Sequence, residues 1–215
     1  MKIKISIFAF LIISFLNMGA ISDLKETRIS FGNLEITTMN KSEFKENGVK
    51  LQYITKETIQ KEALRIKKSL NNNIIGDYRV IGKNKFEILN DDFNVNIKLW
   101  SEDGYTYVEI ILINKNLQYT TFSLKKILKK IENYDSESVK YFLYYKGKIE
   151  ECDNNQMIYE LANENNLQKI DLLDINDGCT GTGYLSNGEK VNFALTNYNT
   201  GSYIIIGTPI IFATY

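Results

Sequence analysis

Gly201-Ser-Tyr-Ile-Ile-Ile-Gly-Thr-Pro-Ile-Ile-Phe-Ala-Thr-Tyr215 closes the chain. The run holds five isoleucines and is broken only by Gly207 and by Pro209, the single proline of the sequence. It is too short and too β-branched for a membrane helix, and it predicts a central strand over Ser202 to Tyr215. A strand this apolar needs a neighbour on each side, so the preceding chain is expected to supply a sheet.

The preceding residues do read as strands. Gln168 to Ile175, Thr180 to Leu185 and Val191 to Thr196 are separated by turn residues, with Gly188 in the last turn. Upstream, Val139 to Tyr145 reads as a strand, followed by a helix capped by Asp153 with Gln156 in capping-box position. That helix buries Met157, Ile158, Leu161 and Ala162.

The first half shows the same order. Val49 to Thr55 alternates as a half-buried strand, and Thr55 is placed to cap a helix over Lys56 to Asn71 with Ile59, Ala63, Ile66 and Leu70 as its stripe. Asp77 to Ile81 and Lys85 to Leu89 flank the turn Gly82-Lys-Asn84. Phe93 to Trp100 alternates so that Phe93, Val95, Ile97 and Leu99 face the core, and Tyr105 to Ile113 returns after Ser101-Glu-Asp-Gly104. A linking helix follows Thr120 and Thr121, burying Leu124, Ile127, Leu128 and Ile131. Its Lys125, Lys126, Lys129 and Lys130 read as a solvated face with no interleaved aromatics. Val139-Lys140 parallels Val49-Lys50 at an offset of 90, which makes the chain a duplicated β-α-β4 unit.

Ahead of the repeats, Met1-Lys-Ile-Lys4 is a positive n-region, Ile5 to Leu16 an apolar h-region, and Ala20-Ile-Ser22 a small-residue cleavage site. The expected organisation is a signal peptide over 1–22, a leader segment of strand or short helix over 23–47, a first repeat with the linking helix over 48–134, and a second repeat over 135–215. An uncleaved anchor is the other reading of the N-terminus and the sole route to a membrane. Either way the body is expected outside the cytoplasm. There Cys152 and Cys179, the two cysteines of the chain, can form a disulfide closing a loop of about 27 residues, worth about 3 kcal/mol on the loop-entropy account. Two buried thiols are the alternative.

This leader, the helix-strand duplication, and above all Tyr203-Ile-Ile-Ile-Gly-Thr-Pro-Ile-Ile-Phe-Ala-Thr-Tyr215 resemble the YwmB family of exported proteins from low-GC, spore-forming bacteria. The resemblance implies an α+β fold like the TATA-box-binding protein saddle. In that fold two β-α-β4 repeats form one curved antiparallel sheet, with the helices on one face. It brings no activity with it.

Charge and residue types narrow the chemistry. The chain carries 26 basic and 26 acidic residues; without residues 1–22, which hold Lys2 and Lys4, 24 face 26. That balance disfavours nucleic acid, whose affinity rests on clustered Lys and Arg. There is no histidine, so neither a Cys-His pair nor an ordinary zinc site is expected, and no metal or cofactor is assigned. Ser42-Glu-Phe-Lys45 and Ser123-Leu-Lys-Lys126 match Ser-x-x-Lys but lack the Lys-Thr-Gly partner strand. Gly178-Cys-Thr-Gly-Thr-Gly183 precedes a strand and reads as a turn or bulge. Asp171, Asp174 and Asp177 miss the register of a calcium loop.

The positive expectation is a non-catalytic binding module. If helices cover one sheet face, Asn94, Asn96, Lys98, Trp100, Tyr105, Tyr107, Asn192, Thr196 and Tyr198 lie on the other, a composition suited to a protein or saccharide at the cell envelope. The competing placement buries Trp100 beneath Leu24 to Glu46. A cell-wall hydrolase using carboxylates is the rival function.

Overall fold

A computed structural model describes residues 23–150 and 154–213. The signal-peptide reading of residues 1–22, Cys152 and the Asp153 cap therefore lie outside the described residues. Among the described residues the fold is α+β: four helices pack on one face of a 10-stranded antiparallel sheet. Among the described residues no helix is long and apolar enough to cross a membrane.

The first helix, α1 (Asp23–Asn40), replaces the strand or short helix expected of the leader. Its buried stripe is Phe31, Leu34, Glu35 and Thr38, a helical spacing in which half the positions are polar. The strand β1 (Glu43–Thr55) starts well before Val49. The helix α2 (Ile59–Asn71) is capped by Thr58, three residues later than expected. Thr55 is still used locally, its Oγ1 accepting the Glu57 N–H at 3.2 Å.

The strands β2 (Asp77–Gly82), β3 (Lys85–Leu89), β4 (Phe93–Glu102) and β5 (Tyr105–Asn114) follow as successive antiparallel pairs, and β5 returns to β1. The linking helix α3 (Thr121–Lys129) is capped by Thr120, whose side chain accepts from the Ser123 N–H. The second half contains β6 (Glu137–Ile149), α4 (Asn154–Glu164), β7 (Gln168–Ile175), β8 (Gly178–Tyr184), β9 (Lys190–Tyr198) and β10 (Gly201–Thr208).

The strand order is β2-β3-β4-β5-β1-β6-β10-β9-β8-β7, a mirror about the β1–β6 pair. β6 begins 94 residues after β1 (Glu43 to Glu137) and shares its length of 13 residues. Val49, six residues into β1, lies opposite Leu143, six residues into β6. Alternating residues of every strand from β3 inward, among them Val49, Leu51, Ile97, Ile110, Tyr145, Phe193 and Ile206, meet Phe31, Ile66, Leu128 and Leu161 of the helices in one core. Burial on this scale is the main favourable term in folding.

Glycine-rich Gly178 to Gly183 is not a turn ahead of a strand but is β8 itself. A Cβ at Gly181 would stand 2.4 Å from Leu172 Cδ2 and 2.6 Å from the Asp171 carbonyl, so the glycine allows β7 to pair closely.

The closing run departs most from expectation. β10 ends at Thr208, because Pro209 has no N–H to continue the ladder. The Thr208–Pro209 peptide is cis, and residues 209–213 fold back over the helix-free face. Ile211, Phe212 and Ala213 pack there on Tyr144, Ala194 and Ile205, with Ile113 at the margin, as a small second core.

Candidate functional site on the helix-free sheet face

The register of β4 against β5 places Asn94, Asn96, Lys98 and Trp100 on the face away from the helices, together with Tyr105 and Tyr107. Asn192, Thr196 and Tyr198 of β9 share that face in the other half. All the candidate residues therefore stand on one surface. Trp100 is half-buried and points away from α1, so it does not lie beneath the leader segment.

Trp100 and Tyr107 are directly opposite and stack, with centroids 5.4 Å apart and planes 15° apart. Lys98 Nζ stands 5.0 Å from the indole centroid, within cation–π range. The second half carries a related group. Tyr198 and Tyr203 lie 5.6 Å apart in a tilted arrangement, and Lys146 Nζ stands 5.7 and 5.0 Å from their centroids. Tyr203 and Lys146 were not among the expected site residues. The signal for Tyr203 was present in the β10 alternation, which points it to the same face as Thr196.

The two aromatic groups are far apart. Trp100 is level with Ile54 through Tyr107, and Tyr203 is level with Glu43 through Lys148. At about 3.3 Å per residue, that separates them by roughly 35 Å along β1.

Between them lies the C-terminal tail. The Asn192 side-chain amide donates to the Pro209 carbonyl, so this residue holds the tail rather than presenting its amide to a ligand. Phe212 meets Tyr144 with centroids 5.6 Å apart, and Lys50 Nζ stands 4.3 Å from the Phe142 ring centroid and 5.6 Å from that of Phe212. Asn94 and Asn96 bond to each other at 2.8 Å. Gln52 donates to Glu109 at 2.7 Å, and Lys50 lies 3.9 Å from the same carboxylate.

The remaining candidates are engaged elsewhere. Cys179 is buried on β8 toward the main core, while its expected partner Cys152 is outside the described residues. The Ser42 hydroxyl donates to the Thr38 carbonyl and meets Tyr145 Oη at 3.0 Å; the Ser123 hydroxyl donates to the Thr120 carbonyl. Asp171 and Asp174 point to opposite faces of the exposed edge strand β7. The α3 lysines do have aromatic neighbours: Lys125 stands over Tyr141 and Lys126 over Phe122. Lys130 donates to Asn73 at 2.6 Å.

Two buried polar groups lie on the helix side, away from this surface. Glu35 accepts from the Thr121 N–H, the Thr121 hydroxyl and the Asn47 amide, joining α1 to the start of α3 and to β1. Burial raises its pKa above the usual carboxylate range, and the Thr121 and Asn47 hydrogen bonds only partly oppose that. Tyr53 donates to Glu62 at 2.5 Å, and Arg65 clamps the same carboxylate through Nε and an Nη.

No family model matches the chain, and no curated protein matches it.

Proposed function

We propose that the chain is an exported, non-catalytic module whose helix-free sheet face binds a partner at the cell envelope, either a wall polymer or a protein of wall building or sporulation. The stacked Trp100–Tyr107 pair with Lys98 over it carries this reading. Half-buried aromatic area beside charge and amides is the composition of contact surfaces. The Tyr198–Tyr203 pair with Lys146 repeats that composition roughly 35 Å away along the strands. A span of that size favours an extended partner over a small molecule.

The finer fold reading belongs to the same proposal: two β-α-β4 repeats in a saddle like that of the TATA-box-binding protein, as in the YwmB family. The mirrored strand order and the equal lengths of β1 and β6 support it. DNA binding by analogy with that fold is disfavoured. The tail of residues 209–213 occupies the middle of the face a duplex would need, and the chain has equal numbers of basic and acidic residues.

Co-sedimentation with protein-free cell-wall sacculi tests the reading, with the fluorescence of Trp100, the single tryptophan, followed in the supernatant. Depletion assigns the partner to the wall polymer. Cross-linking in intact cells then tests for a protein partner, and failure of both measurements overturns the envelope reading.

A further inference from the structure

Beside Trp100 a groove of about 700 Å³ wraps the end of the sheet between the β1–α2 connection, the β2–β3 turn and β4. Four exposed lysines from these three segments line it: Lys56, Lys83, Lys85 and Lys98. The backbone fixes their approach. Asn84, at φ 57°, turns the β2–β3 hairpin, and its carbonyl accepts the Leu99 N–H at 3.0 Å, which holds Lys83 and Lys85 against β4.

The lining holds four lysines against one carboxylate. Lys85 and Lys98 are directly opposite across β3 and β4, a like-charge pairing that is unfavourable unless an anion intervenes. The one acidic residue of the lining, Glu57, is bonded to Lys61 at 2.7 Å. Glu109, outside the lining, stands opposite Lys98 on the other side and is shared with Gln52 and Lys50, so it offsets at most one of the four lysines. Glu102 and Asp103 of the adjoining turn are not part of the lining. The start of α2 also borders the groove, and a helix N-terminus favours negative charge.

We propose that this groove binds a phosphodiester-linked polyol or sugar chain. In this assignment, which rests on the envelope-binding reading above, the lysines hold successive phosphates and the Trp100 edge packs on the carbon backbone between them. Single-stranded nucleic acid is the less suitable polyanion. A stacking track for successive bases needs several rings, and Trp100 is the only aromatic residue of the lining, already engaged by Tyr107 and Lys98.

The test titrates the full chain with a synthetic poly(glycerol phosphate) oligomer while following Trp100 fluorescence. Saturable binding is expected, weakening by about tenfold or more between about 50 and 500 mM salt as released counterions oppose it. The double variant Lys85→Gln, Lys98→Gln should lose about tenfold in affinity without any lowering of its thermal transition, since it removes a like-charge pair. Equal binding of a neutral dextran or of an oligodeoxynucleotide of equal charge overturns the assignment, as does unchanged affinity in the lysine variant.

Sacculi separate this proposal from the reading beneath it. Sedimentation that persists after phosphodiester chains are stripped, and that the lysine variant shares, overturns the groove assignment while supporting envelope binding. Binding to the isolated oligomer without any depletion by intact sacculi supports the groove and counts against the wall as its setting.

Discussion

Asn192 donates its side-chain amide to the Pro209 carbonyl, and this bond holds the reversed C-terminal run as a cover over the sheet. Gly207 makes the reversal sterically feasible, since a Cβ there would lie 3.0 Å from both the Ile210 carbonyl and Ile211 Cα. Replacing Phe212 by alanine should cost about 1–2 kcal/mol, the loss expected for a half-buried ring. It should also raise the binding of an apolar dye as Tyr144 and Ile205 become accessible. Denaturant unfolding and dye fluorescence measure both, and Trp100 emission should stay unchanged because the tail packs elsewhere.

Glu35 predicts a pH dependence. Its folded-state pKa is raised by burial, so the folded protein holds the proton more firmly than the unfolded chain does. The corresponding stability is fully present below the ordinary value of 4.5 and is lost as pH rises through the folded value. Glu35→Ala leaves the Thr121 and Asn47 donors without this acceptor, at a cost of about 3 kcal/mol. Melting curves across pH should show the gap between parent and variant widest in acid and narrowing upward.

The Tyr53–Glu62–Arg65 group should respond unevenly to truncation. Tyr53→Phe removes one donor and leaves the Glu62–Arg65 pair intact, a loss of about 1 kcal/mol. Glu62→Ala removes the acceptor of the Tyr53 hydroxyl and the carboxylate partner of Arg65, which keeps its bonds to the Ile131 carbonyl and the Tyr53 oxygen, and should cost about 3 kcal/mol. Comparable losses from the two variants in urea unfolding would contradict the arrangement.

Tyr107→Ala uncovers one side of the indole. Trp100 emission should move to longer wavelength and its quenching by acrylamide should increase, while stability falls by only about 0.5–1 kcal/mol, the scale of one aromatic cross-strand pair.

The alternation of Phe93, Val95, Ile97 and Leu99 made β4 and its outward face legible, and with them Trp100, because a period of two admits one assignment of faces. The stripe of α1 was not legible: Glu35 occupies a core position as an acceptor for buried donors, and Thr38 as a donor to the Leu34 carbonyl, rather than as apolar residues. Thr55 and Thr58 are both competent caps, and each does accept a backbone N–H, so composition could not choose between them. For Ile210 to Phe212 apolarity predicted burial, and it did not say against which side of the sheet. The contribution of Lys146 needed the β6–β10 pairing, which no local pattern announces.

Each half of the sheet closes on its own first strand, β5 on β1 and β10 on β6, which leaves the β1–β6 pair as the seam where the halves join. The tail starts from β10 and reaches the Lys50 side chain of β1, bridging that seam like a batten across a joint. A torque that twists one half against the other must drag Phe212 past Lys50 and the small cluster past Ile113. Residues 209–213 thereby add a side-chain tie to a seam that the β1–β6 ladder otherwise holds by backbone pairing.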